Sequence, residues 1–571
     1  MHALLLFLGL TGLFLGWNAP NHYPPWPAFH LEMFAGLGLC ALALAITTMP
    51  RVSPAADATL GRLPPPTAVR VWAVAATWPL LQWAWGALDF RGDAVIGFLY
   101  AIGVASALYL GQLWAARAGR EQVLATLFGT LLVAAITAGG LATAQWLRLT
   151  VPSWMAMELI DNRPFANFAQ PNHFGLAMVM GAISTAALYE SRTIVRRGVF
   201  LLALGFCIWG VLISQSRAAQ LALALVAILW LLTRRRVPTR LGLGDLLFGV
   251  AVVALLAWAI EPAQRLLLLQ QEGVRTDPEV GPRQWIWLHF WAAIVERPWA
   301  GHGFNQAVRA LAEVSETVHP SRNVVFAHNV LLDFMTWFGI PLGAAAFAAL
   351  LAWMGGWLRR VADASLLGQR HAVFALWLAL LVQSMLEFPF AHTYFLLPAA
   401  LAAGAITPVR PGADPAAAAS RPMQGLMFGA AMLFALLVWE YFHMESDFRF
   451  NRFERANFGA LPAHESMDTP LLLDQLGALN ASARITLKAG MPDAEIEMLR
   501  RLARRFHIPS TRMDYAKALA LNGRMAEARH EMVVIRSVSP PQQFESIDRH
   551  WRGWLASQGL SAESTGPTAP R

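Results

Sequence analysis

The stretch VLATLFGTLLVAAITAGGLATA, residues 123–144, contains no charged side chain. A helix rises about 1.5 Å per residue and the hydrocarbon core of a bilayer is about 30 Å thick, so roughly 20 apolar residues make one membrane crossing. Comparable runs precede and follow this one. The 571-residue chain is 56% hydrophobic and 14% charged, whereas an average soluble domain carries about 25% charged residues. The excess apolar surface must face lipid. The expected fold is therefore an all-α polytopic integral membrane protein with about 13 transmembrane helices. They lie near 3–17, 33–49, 71–88, 94–115, 122–145, 173–190, 198–213, 218–233, 242–260, 329–357, 371–390, 395–408 and 423–440.

A net charge of +8 would suggest nucleic acid as a partner of a soluble protein. Here the basic residues lie in short loops between apolar runs, where they report topology and membrane lipids, with no nucleic-acid partner. Alternate loops carry Arg51, Arg62 and Arg70; Arg117 and Arg120; Arg192, Arg196 and Arg197; Arg234, Arg235, Arg236 and Arg240; Arg359, Arg360 and Arg370; Arg410 and Arg421. The opposite short loops hold Arg91, Arg148, Arg163 and Arg217. By the positive-inside rule the N-terminus is cytoplasmic. An odd number of spans then puts a large loop, 261–327, and everything after the last span outside, in a bacterial cell the periplasm. The first run lacks a basic leader and a small-residue cleavage site, so it reads as a retained span rather than a signal peptide. Cys40 and Cys207 both lie within expected spans and imply no disulfide framework.

Residues 1–440 are thus expected to form a transmembrane domain that includes the 261–327 loop. From 441 to 557 the composition turns charged and amphipathic, as suits a periplasmic helical domain. Within it, 513–540 reads as helix, Asn-Gly turn, helix, the pattern of a TPR-like hairpin. The tail 558–571, rich in Ser, Gly, Pro and Thr, reads as disordered.

Polar side chains in an apolar chain are costly to bury, so clusters of them at span ends mark candidate sites. In NRPFANFAQPNHFG, 162–175, the residues Gln170, Asn172 and His173 open a span, either as a helix cap after Pro171 or as the lining of a site mouth. In SQSRAA, 214–219, Ser214 or Ser216 suits a cap and Arg217 falls in the first helical turn. A cation there opposes the helix dipole unless an anion joins it, or else it snorkels to the interface. GPRQWIW, 281–287, sets Arg283 on an aromatic segment suited to the membrane surface. AHNVLLDFMTWFGIPLG, 327–343, places His328 and Asn329 at a span start, with Asp333 one turn on and its polarity expected to point outward. His328 suits either a capping role or that of a neutral proton acceptor. LEFPFAHTYFLLP, 386–398, brings Glu387, His392 and Tyr394 to another outer turn. On the expected topology, the helices after Asn172, Ser216 and His328 all start at the outer face. Their N-termini and the two arginines would suit a membrane-anchored diphosphate.

These motifs, together with NHYPPWPAFHLEM at 21–33 and the GxGF at 301–304, resemble the bacterial protein O-oligosaccharyltransferases of the PglL type, relatives of the O-antigen ligases and Wzy polymerases. The resemblance covers nearly the whole chain. It implies an inner-membrane glycosyltransferase that moves a preassembled glycan from undecaprenyl diphosphate to Ser or Thr hydroxyls of a periplasmic protein such as a pilin. It places Gln170, His328 and Tyr394 at the active site, and the wider superfamily adds Arg217 and Arg283. The expected chemistry is an inverting displacement without cofactor or metal. His328, Arg217 and Arg283 would be catalytic, and Gln170, Asn172, Asn329, Tyr394 and Glu387 would bind substrate. No DxD pair or His-carboxylate set at ligand spacing is seen in the outer loops. Transfer to lipid A core, as in an O-antigen ligase, and O-antigen polymerisation are the alternatives. A transporter or flippase fits less well, because the polar clusters sit at span ends and no repeated halves are visible.

Overall fold

The computed structural model describes residues 1–49, 66–159, 162–235, 239–269, 283–318, 324–360, 367–407, 420–457, 464–467, 469–506 and 509–560. Arg51, Arg62, Arg236 and Arg410, Gly281 and Pro282 of the third motif, and the tail from 561 lie outside the described residues. Among the described residues every regular element is a helix. Each of the expected apolar runs falls on one, from His2–Asn18 to Ser420–Arg455. Six are long and apolar enough to cross a membrane: Phe29–Thr48, Arg91–Ala118, Arg120–Trp146, Leu243–Leu266, Val330–Trp357 and Pro422–Arg455. Apolar but shorter are His2–Asn18, Arg197–Ile213, Arg217–Thr233, Arg370–Ser384 and Thr393–Ala405.

The chain divides into two units. The first comprises Met1–Leu80, Ile96–Glu279 and Ala348–Trp439. Its centre is the helix Pro171–Glu190, buried without a break from His173 to Thr185. Arg120–Trp146, Arg197–Ile213, Arg217–Thr233 and Leu367–Ser384 all pack against it. A helix that is apolar on every side needs such an all-round coat. Leu243–Leu266 behaves oppositely, exposing Leu247, Val250, Leu255 and Trp258, a surface that only lipid would cover favourably. A Cβ on Gly404 would overlap the Leu108 backbone, and one on Gly111 that of Leu401. These two glycines therefore let Arg91–Ala118 and Thr393–Ala405 meet backbone to backbone.

The second unit comprises Leu81–Val95, Val280–Phe347 and Glu440–Arg571. Here the 280–347 segment groups with the C-terminal helices, whose composition is amphipathic. The Asp474 carboxylate accepts from the amides of Arg91 (3.1 Å) and Gly92 (2.8 Å), and Arg505 pairs with the buried Asp93 at 2.6 Å. Glu440 accepts from the amides of Leu471, Leu472 and Leu473. The helix that carries it continues to Arg455, so no break in helical structure marks residue 441. The hairpin read at 513–540 is the pair Pro509–Leu521 and Met525–Val538, with Gly523 at φ +78° in the turn and Leu519, Met532 and Ile535 in the shared core.

Candidate active site

In the first unit, polar side chains gather where the central helix begins. Gln170 is its N-cap, accepting from the Asn172 amide at 2.6 Å, and Pro171 occupies the first turn. The cap is thus Gln170 and not Asn172, because the extended backbone at Gln170 (φ −146°) turns its amide oxygen onto the helix start. Asn172 is held twice, its side-chain oxygen accepting from Arg163 at 3.2 Å and its carbonyl from Gln383 at 2.7 Å. The Gln170 Nε2 donates to Glu387 at 3.4 Å, and Glu387 is buried. His173, one residue into the helix from Asn172, packs edge-on against His392 with centroids 4.8 Å apart. The Tyr394 hydroxyl lies 3.5 Å from His173 Nδ1, and Trp17 donates to the Tyr394 carbonyl at 2.8 Å.

Glu32 completes the cluster from the first turn of Phe29–Thr48. Its carboxylate lies 2.9 Å from His392 Nδ1 and accepts from the Thr393 amide at 2.8 Å and from the Thr393 hydroxyl. Above the spans, His22 Nε2 donates to the Asn167 carbonyl at 2.9 Å. Burial pushes the His22 imidazole down to about 4, outweighing that hydrogen bond, with His392 and His30 adding to the fall. His22 is therefore neutral at physiological pH.

The SQSRAA turn forms a second feature of this unit. Ser214 Oγ donates to the Val211 carbonyl at 2.6 Å and accepts from the Ser216 amide at 3.1 Å. Ser216 is the N-cap, accepting from Ala219 at 3.2 Å, and Arg217 is the first helical residue, exposed. Arg163 donates twice to the Ser214 carbonyl, at 3.2 and 3.0 Å, fastening this turn to the Asn172 loop. A Cβ on Gly175 would crowd Ser214, Ser216 and Ala219, so glycine is what lets the turn lie on the central helix.

Within the second unit, His328 has φ +53° and precedes the helix Val330–Arg360. The Asn329 side chain accepts from Leu331 at 3.1 Å and Leu332 at 3.3 Å. The cap of this helix is therefore Asn329 and not His328. Asp333 does not point outward as expected. It is fully buried and accepts from the Ala327 amide at 2.9 Å, because that amide has no partner in the helix ladder. Arg283 opens the helix Arg283–Glu296, which buries Ile286, His289, Phe290, Ala293 and Ile294 and exposes Trp285, Leu288 and Trp291. Among the described residues no group of three His, Cys, Asp or Glu side chains is arranged to hold a metal ion.

A family model described as O-antigen ligase matches residues 199–348, and one described as the C-terminal part of a virulence factor membrane-bound polymerase matches 371–552. A general O-oligosaccharyltransferase of Acinetobacter baylyi is 24% identical over 550 residues, 94% of this chain and 92% of that protein. These matches support a likeness to the PglL-type O-oligosaccharyltransferases and the O-antigen ligases. A second relative from the same organism, a ComP-specific O-oligosaccharyltransferase, is 25% identical over 252 residues, covering 43% of this chain and 44% of that one. With six helices among the described residues long and apolar enough to cross a membrane, the chain is a multi-pass membrane protein. Arg217, Arg283, His328 and Asn329 fall within the O-antigen ligase match, and Glu387 and Tyr394 within the polymerase match. Gln170, Asn172 and Glu32 precede both. Glu32 is the residue that reading the sequence passed over, although a carboxylate inside an apolar run is itself a functional signal.

Proposed function

We propose that this protein transfers a preassembled oligosaccharide from undecaprenyl diphosphate to Ser or Thr hydroxyls of periplasmic proteins such as pilins. The observation that carries the reading is the buried cluster of Gln170, His173, Glu387, His392 and Tyr394. It is a set of hydrogen-bond donors and acceptors beside aromatic rings, of the kind that hold sugar hydroxyls. The two similar O-oligosaccharyltransferases of Acinetobacter baylyi support the same reaction class. In the proposed step the acceptor oxygen attacks the anomeric carbon from the face opposite the diphosphate, inverting it. His328 takes the hydroxyl proton, the carbon–oxygen bond to phosphate breaks, and the electron pair leaves with the diphosphate. Arg217 and Arg283 neutralise the charge that develops there, so no metal ion is required. Gln170, Tyr394 and Glu387 orient the glycan, while Asn172 and Asn329 hold the loops that present Gln170 and His328.

The test is co-expression with a lipid-linked glycan pathway and a pilin, read by mass spectrometry of the pilin and by a lipopolysaccharide gel. Glycosylated pilin is the expected result. Glycan on lipid A core, or lengthened polymer without modified protein, would move the chain to the ligase or polymerase branch.

A further inference from the structure

Glu32 and His392 form a carboxylate–imidazole dyad inside the first unit. A carboxylate accepts and does not donate, so the 2.9 Å contact fixes the proton of His392 on Nδ1. The Thr393 amide and hydroxyl also donate to Glu32, which is 6% exposed beside a ring that is 13% exposed. A carboxylate accepting this many hydrogen bonds is fixed in place. It also sits in the first turn of Phe29–Thr48, where the helix dipole favours an anion. Among the described residues, the ring's one hydrogen bond is this Nδ1 contact, on the side away from Nε2. The imidazole stacks on Tyr394 (4.8 Å, 22°) and lies beside Phe388 (5.9 Å).

We propose that Glu32 is a positioning residue that locks His392 in the Nδ1–H tautomer and so presents a bare Nε2 as hydrogen-bond acceptor to a hydroxyl of the donor glycan. The inference rests on the glycan-transfer reading above. Two carboxylates, Glu32 and Glu387, border this cluster, which disfavours an anionic ligand such as the diphosphate and favours a neutral polyol. The half-buried Phe388 ring beside it suits the C–H surface of a sugar ring.

The full-length protein, labelled with 15N-histidine, reports the tautomer directly by NMR, the His392 signals being those lost in His392→Gln. Nδ1–H is expected in the wild type, with Nε2–H appearing in Glu32→Gln. In transfer assays with an undecaprenyl-diphosphate-linked oligosaccharide and a pilin, Glu32→Gln should raise KM for the donor about tenfold or more and change kcat less. Glu32→Asp should recover part of the loss. An Nε2–H tautomer in the wild type, or a Glu32→Gln protein with unchanged donor KM, overturns the proposal. So does a loss of kcat alone in proportion to folded protein, the mark of a merely structural carboxylate. If the tautomer is as expected and the wild type modifies no protein or lipid, it is the transfer reading that fails, and the glycan assignment with it, while the dyad stands.

Discussion

At residue 328 the backbone lies at φ +53°, a left-handed conformation that asparagine tolerates better than most side chains. His328→Asn therefore removes the imidazole without straining the loop, and the helix cap is untouched because Asn329 supplies it. If His328 is the base, this variant should lose transfer to pilin by a hundredfold or more while binding the lipid-linked donor normally. Near wild-type turnover by the purified variant would exclude general-base catalysis. Arg217 and Arg283 call for a different measurement, since their proposed partner is the leaving diphosphate. Replacing either with alanine should cost about 1.5 to 3 kcal/mol in the transition state, about ten- to a hundredfold in rate, with inserted protein at normal abundance. Full activity of Arg→Lys at both positions would rule out bidentate recognition.

Helices were legible in the sequence because each needs only a long apolar run, whereas the hydrogen bonds at their ends turn on single residues. Asn172 is the expected cap by residue type, yet the extended backbone at Gln170 makes the glutamine the cap instead. Asp333 looked outward by helical spacing, yet the unsatisfied Ala327 amide draws it inside. Glu32 escaped notice because its partners, His392 and Thr393, are distant in sequence and no local pattern predicts the pairing. The short helix Ala307–Glu313 is legible only in three dimensions as well. Its Glu313 is pushed up by burial but held down at about 2 by the adjacent His302 ring and by Arg309 and Arg297, which donate to it at 3.0 and 2.8 Å. A carboxylate with a depressed folded value contributes stability above its ordinary value of 4.5, and that stability is lost as pH falls toward 2. Glu313→Gln should accordingly be less stable than the wild type at pH 6 in detergent, with the gap closing between pH 4.5 and 2. Thermal unfolding across that range checks it, and a gap that stays constant with pH would show that Glu313 acts through packing alone.

Across the whole molecule, orientation in the membrane follows from which loops lie at which end of the first unit. The central helix Pro171–Glu190 has 20 residues, about 30 Å in length, close to the thickness of the hydrocarbon core. At one end Gln170 joins the buried polar cluster. At the other, Glu190 accepts from the amides of Arg240 and Leu241, Arg240 lies over the Tyr189 ring at 4.2 Å, and Arg197 pairs with Asp245 at 2.7 Å. A second helix repeats the arrangement, since Thr393–Ala405 begins at Glu32 and ends where Arg120 donates to the Ala405 carbonyl at 3.0 Å. The arginine-rich loops and the polar cluster thus occupy opposite ends of the same helices. If the arginines keep their loops in the cytoplasm, the cluster must open to the periplasm, the side on which a protein acceptor would meet it. Alkaline phosphatase fused after Ser557 should then be active, and fusions after Thr233 or Arg360 silent. Activity after Thr233 and Arg360 with none after Ser557 would invert the molecule and turn the cluster toward the cytoplasm, where no periplasmic protein could receive a glycan from it.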